Sequence, residues 1–141
     1  MKPIRSLENE RCVLGAMLRD QHELYRVSYL LTGEMFATDA HQKVYAAILE
    51  AGKADLSKVA QVLWQRQQVK DLGGYGYLAV LLDACPAPCQ AVWCAKQVRE
   101  CWVRRCLMHE ATELLKAAKR PYGPAAEMAR DSVSRLQRLA S

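Results

Sequence analysis

A nucleotide-binding loop is the first thing this sequence does without. No Gly-x-x-x-x-Gly-Lys-Ser/Thr occurs in its 141 residues, the pattern by which backbone amides and a lysine cradle phosphates while a hydroxyl holds magnesium. Gly52-Lys53 lacks both the upstream glycine and that hydroxyl, so ATP hydrolysis is not expected of this chain. Long apolar runs are missing too. Charge interrupts each of them before it reaches bilayer length, which argues against a membrane span. Met1-Lys2-Pro3-Ile4-Arg5 has no apolar stretch and no cleavage pattern, and a cytoplasmic location follows by elimination. Strand-type alternation is also scarce, whereas helical spacing recurs along the chain.

Tight C-x-x-C pairs are absent although cysteine is plentiful. Of Cys12, Cys85, Cys89, Cys94, Cys101 and Cys106, the last five are separated by gaps of three, four, six and four residues. Zinc and iron–sulfur sites favour two-residue gaps. Cys94 and Cys101 share a face of one helix, so the expected use of these thiols is packing as small hydrophobes, with no metal, no cofactor and, in a reducing cytoplasm, no disulfide. The net charge of +5 is uneven: residues 1–90 carry ten basic and ten acidic residues, residues 91–141 ten and five. A basic excess in one segment suits either an acidic partner or a solvated helix face. Glu100, Glu110, Glu113, Glu127 and Asp131 interrupt it, which weakens a DNA-groove reading.

Half the residues are apolar, enough for a real core in one domain. The pattern predicts an all-α fold. A first helix enters after Ser6 with Leu7, Val13, Leu14, Met17 and Leu18 on one face, and a second carries Leu24, Val27 and Leu31 and ends at Gly33. A third is capped by Thr38 or Asp39, presents His41, Val44, Tyr45, Ile48 and Leu49, and closes at Gly52. Asp55 caps a fourth with Val59, Val62 and Leu63 inward. Gly73-Gly74 ends one helix, and Tyr75, Leu78, Leu81 and Leu82 begin the face of the next, a fifth helix from about Tyr75 to Ala84 stopped by Pro86 and Pro88. Residues 1–88 therefore read as a compact multi-helix head. Residues 89–141 read as a long antiparallel hairpin: an unbroken helix over 91–119, a turn at Arg120-Pro121-Tyr122-Gly123-Pro124, and a helix from Ala125 to Leu139. A hairpin that leaves its head cannot bury both sides of its apolar stripe against itself, so self-association or a partner is expected to cover it.

Candidates for chemistry are few. His41 opens an apolar helix with no nucleophile in readable relation to it, which fits a satisfied histidine rather than a base. His22 and His109 sit among charged neighbours as surface positions. Glu8 and Glu10, two apart on a helix, do not face each other. Trp64, Trp93 and Trp102 could stack bases, but at helical spacing they read as core or interface. No catalytic residue is assigned.

One family resemblance is carried by the order of several motifs. Glu10, the run Val13-Leu14-Gly15-Ala16-Met17-Leu18 and Asp20 open it. Phe36, His41 and Val44-Tyr45-Ala46-Ala47-Ile48-Leu49 follow, then Asp55-Leu56, Leu72-Gly73-Gly74 with Tyr77-Leu78, Val98-Arg99-Glu100 and Arg104-Arg105. Together, from about residue 8 to about residue 107, they resemble the N-terminal domain of DnaB-type replicative DNA helicases. The resemblance implies a helical head and hairpin without the RecA-like motor, hence no DNA unwinding by this chain. It also implies hairpins that pair subunits and a collar that docks primase or a helicase loader, in a helicase's own domain or a free-standing relative. Arg104, Arg105, Leu114, Leu115, Val133 and Leu136 are the expected assembly surface, with DNA contact weak or indirect. Residues 49–55 are shorter than the family pattern, and residues 125–141 match it only in being helical. Two alternatives stay open: a small basic DNA-binding protein using the 96–138 helices on phosphates, and the helicase-binding domain of a primase.

Overall fold

The computed structural model describes residues 4–85 and 90–141. Among them are seven α-helices and no strand: α1 Leu7–Arg19, α2 Gln21–Ser28, α3 Asp39–Ala51, α4 Leu56–Gln65, α5 Gly76–Asp83, α6 Ala91–Lys119 and α7 Ala125–Ala140. Short 3-10 turns lie at Gly33–Met35 and Val69–Leu72. The expected all-α head followed by an antiparallel hairpin is what is seen.

α1 is the axle of the head. It packs against α2, α3, α5 and α6, and every residue from Cys12 to Leu18 is buried. A single buried face was expected; α1 is instead enclosed all round along this stretch, as a helix with neighbours on every side must be. Gly15 makes the enclosure possible, because a Cβ there would lie 2.0 Å from the Leu81 carbonyl oxygen of α5. α1 thus touches the α5 backbone where any side chain would hold the two helices apart.

Glu10 enters this core with 1% exposure and is fully engaged. Both its carboxylate oxygens accept from the Ala37 N–H at 3.1 Å, and His41 Nδ1 lies 2.8 Å from Oε1. The other ring nitrogen, Nε2, is 2.5 Å from the Tyr77 hydroxyl. An Nδ1–H tautomer satisfies both contacts, donating to Glu10 and accepting from Tyr77. Burial raises the Tyr77 phenol above its ordinary pKa, which keeps it a donor. His41 is therefore a satisfied core histidine, as expected. Glu10 and Glu8 do not pair, also as expected; the partnership of Glu10 with His41 was not legible.

Local signals account for most helix ends. Thr38 accepts from the His41 N–H, and Asp55 accepts from the Ser57 and Lys58 N–H groups. Asp20 caps α2 through His22 and Glu23, and Gly52 closes α3. The brief connection from α3 to α4, residues 52–55, is pinned by Gln21, which donates to the Gly52 carbonyl at 3.0 Å and accepts from the Ala54 N–H at 2.7 Å.

Three expectations shift. α2 stops at Ser28 rather than running to Gly33, which opens a 3-10 turn instead; Leu31 reaches the core from the connection, where its carbonyl accepts from the buried Tyr45 hydroxyl at 2.7 Å. Gly73-Gly74 ends the Val69–Leu72 turn, not a helix, since α4 has already stopped at Gln65. Their φ values of 84° and 107° with open space around them show that backbone conformation, not close approach, demands glycine there. Tyr75, expected inward, is about half exposed, while Leu78 and Leu81 fill the core. The expected stop at Pro86 and Pro88 lies outside the described residues.

Two substitutions test this packing. Gly15→Ala gains about 1 kcal/mol of helix propensity, yet forces α1 off a rigid backbone at an overpacking cost of about 1–3 kcal/mol. A lowered urea midpoint is expected; an unchanged or raised one means α1 and α5 separate cheaply. His41→Ala strands the Glu10 carboxylate beside a cavity, and a loss of about 3 kcal/mol in denaturant unfolding is expected.

Candidate functional site: the helical hairpin

α6 begins inside the head and ends outside it. Ala91, Cys94, Ala95 and Val98 are buried against α1 and α2, and Trp102 is half-buried at the exit. The 29 residues of α6 at 1.5 Å each give it a length of about 43 Å, well past this exit. At the exit, Arg105 donates to the Ile4 carbonyl and to the Met35 carbonyl, both at 2.9 Å. This guanidinium fixes the base of the hairpin to the head. Between head and hairpin lies a cleft of about 640 Å³ bordered by Phe36, Gln42, Trp102, His109, Arg138 and Leu139.

The turn at residues 120–124 returns the chain as α7, with Gly123 at φ +98° and Pro124 opening the helix. α7 runs antiparallel along α6, held by polar bonds more than by apolar burial. Arg135 makes a two-pronged bond to Glu110, Nε to Oε2 at 2.7 Å and Nη2 to Oε1 at 2.9 Å. Near the chain end Arg99 donates to the Ser141 carbonyl at 3.1 Å. Ser132 is the single buried residue of α7.

The expected assembly residues are placed as follows. Arg104 is exposed and bonds Glu100 one turn back, and Arg105 is committed to the head. Leu114 is half-buried, while Leu115 and Val133 are more than half exposed and Leu136 is exposed at 37%. Leu114, Val133 and Leu136 share a groove of about 430 Å³ with Ala118, Met128 and Ala129. Leu107 and Met108, which the sequence reading did not single out for this surface, are exposed on α6 as well. Their position about two turns before Leu115 was the available signal. Trp64 and Trp93 lie on the surface and not in the core, at 67% and 61% exposure.

No three His, Cys, Asp or Glu side chains are arranged to hold a metal ion among the described residues, and no described helix is long and apolar enough to cross a membrane. Five of the ten basic residues from Lys96 onward bond within the chain: Arg99, Arg104, Arg105, Lys116 and Arg135. The arrangement holds a rigid, partly apolar two-helix arm at a fixed angle to a head.

The Glu110–Arg135 bond sets a pH dependence. Arg135 beside it holds the Glu110 carboxyl below its ordinary value of 4.5. A depressed folded-state pKa contributes stability above the unfolded value that is lost as pH falls through the folded one. Wild type is therefore expected to melt above Glu110→Gln from neutral pH down to about pH 4.5, with the gap closing below it. A gap that widens on acidification would contradict the assignment.

Comparison with known proteins follows this geometry closely. Residues 2–100 match the family described as DnaB-like helicase N terminal domain. The chain is 35% identical over 116 residues to the replicative DNA helicase DnaB of Geobacillus stearothermophilus, covering 79% of this chain and 26% of that protein. It is 30% identical over 113 residues to that of Treponema pallidum (strain Nichols), covering 77% and 26%. This chain thus spans about a quarter of the length of these curated relatives. The crystal structure of the N-terminal domain of DnaB helicase from Mycobacterium tuberculosis superposes with a TM-score of 0.89 at 29% identity, covering 97% of this chain and 99% of that one. The superposition includes residues 125–141 in large part, where the sequence resembled the family only in being helical. By the family match and by the fold, this chain belongs to the DnaB-like helicase N-terminal domain family.

Proposed function

We propose that this domain is a non-catalytic assembly and docking module of DNA replication, working in the cell interior. Its hairpin joins it to other copies of itself, and the resulting collar receives a primase or a helicase loader. The observation that carries the assembly role is the apolar surface left uncovered on the arm: Leu107, Met108, Leu115, Val133 and Leu136. Leucines, a methionine and a valine on one protruding hairpin supply the non-directional burial that a protein interface uses at its centre. Leu114 supports that surface from inside, and Arg104 stands beside it as a rim charge. Arg105 serves differently from the other candidates, by fixing the angle at which the arm is offered.

DNA contact is a minor part of this reading. Half of the basic residues that could neutralise phosphates are occupied within the chain, and the remainder are interleaved with acids. The relatives are helicases, which favours the helicase's own domain over the helicase-binding domain of a primase.

Light scattering tests the assembly role. The chain, 15.9 kDa as a monomer, is expected to show a concentration-dependent mass above that value. Leu115→Asp combined with Val133→Asp is expected to restore the monomer mass with little change in melting temperature, because both side chains are exposed within one copy. A wild-type chain that stays monomeric at high micromolar concentration would overturn the assembly role.

A further inference from the structure

Three thiols from distant parts of the chain meet inside the head. Cys12 of α1, Cys85 just beyond α5 and Cys94 of α6 are all buried. The Cys12 and Cys85 sulfurs are 3.2 Å apart, and Cys94 lies within hydrogen-bonding reach of Cys12. Gly15 brings them together: the Cβ it lacks would sit 3.4 Å from the Cys85 Cβ, beside the tight contact with Leu81. Small-hydrophobe packing explains each cysteine singly, but it does not require sulfurs 73 residues apart in sequence to face one another. A disulfide needs the 3.2 Å sulfur separation to close by about 1 Å. No three His, Cys, Asp or Glu side chains are arranged for a metal among the described residues.

We propose that Cys12 and Cys85 are a redox pair that closes to a disulfide under a peroxide-class oxidant, stitching α1 to the end of α5. One thiolate attacks the peroxide, whose O–O bond breaks to leave a sulfenic acid and hydroxide; the hydroxide takes up the released proton as water. The second sulfur then displaces the sulfenic oxygen, forming the S–S bond and a second water. Two thiols lose two protons and two electrons, and one peroxide becomes two waters. Burial pushes the Cys12 thiol above its ordinary value, so the thiolate is scarce at neutral pH and closure is slow there and faster in alkali. The link ties residues far apart in the chain, so it constrains the unfolded state and strengthens the head against denaturant. It leaves the hairpin surface untouched and is independent of the assembly role.

The test uses the full chain carrying Cys101→Ser and Cys106→Ser, which removes the two half-buried thiols. After hydrogen peroxide treatment, two thiols should disappear on titration under denaturing conditions, sooner at alkaline than at neutral pH. Non-reducing tryptic mapping should show peptide 12–19 joined to peptide 71–96, with fragmentation placing the bond on Cys85. The urea midpoint should rise and return on reduction. Adding Cys12→Ala should abolish the crosslink and the rise; if that variant fails to fold, the peptide map of the parent decides. Four undiminished thiols, a bond on Cys89 or Cys94 in place of Cys85, over-oxidation of Cys12 without a crosslink, or stoichiometric zinc holding these thiols would each overturn the proposal.

Discussion

A carboxylate that cannot reach water organises the head. Glu10 sits in α1 with almost no exposure, and an unsatisfied charge at that depth would cost more than the contacts around it return. Its partners must therefore be present together: the Ala37 N–H before α3, the His41 ring in the first turn of α3 and, through that ring, the Tyr77 hydroxyl of α5. The cap at Thr38 is what places His41, since the same residue both receives the cap bond and presents its ring to Glu10. Three helices and one connection are thus registered by one buried polar chain, while apolar side chains supply the bulk of the burial. Close packing of α1 on α5 at Gly15 belongs to the same constraint, because Tyr77 reaches His41 only if α5 lies hard against α1.

The hairpin obeys different physics. Beyond Trp102 there is no second layer to bury against, so α7 has one buried residue, and its register on α6 comes from Arg135 on Glu110 and Arg99 on the chain end. Directional bonds of this kind fix a geometry without consuming apolar surface. The leucines and valine are left facing outward, in keeping with an element whose apolar contacts are made elsewhere. Arg105 connects the two regimes, carrying the orientation of the head into the arm through two backbone carbonyls.

Much of this was legible in the residues. Caps at Thr38 and Asp55, the stop at Gly52, the turn before Pro124 and the inward faces of α3 and α4 follow from local chemistry that needs no tertiary context, except that Leu49, expected on the α3 face, is exposed. Legibility failed where a residue's neighbour came from far along the chain. Nothing near Gly15 in the sequence shows that Leu81 will lie against it, and nothing near Glu10 shows that His41 will bond it. Leu31 suggested a longer α2 because its burial is real, but the core reaches it through a connection. Trp64 and Trp93, apolar by composition, are exposed because their helices turn other faces to the core.

The sequence by itself determined the helical class, the places where most helices start and stop, the absence of a phosphate-binding loop, and a motif order resembling one replication family. These rest on periodicity, capping and short-range backbone preference, all of which operate within a few residues. Only the tertiary structure decided that α1 is enclosed on all sides, that Glu10, His41 and Tyr77 form one chain of bonds, that Arg105 serves the head, and that Cys12 and Cys85 meet. Each of those depends on which helices become neighbours. That is settled by the whole core finding one dense arrangement with its polar groups satisfied, and no local pattern encodes it.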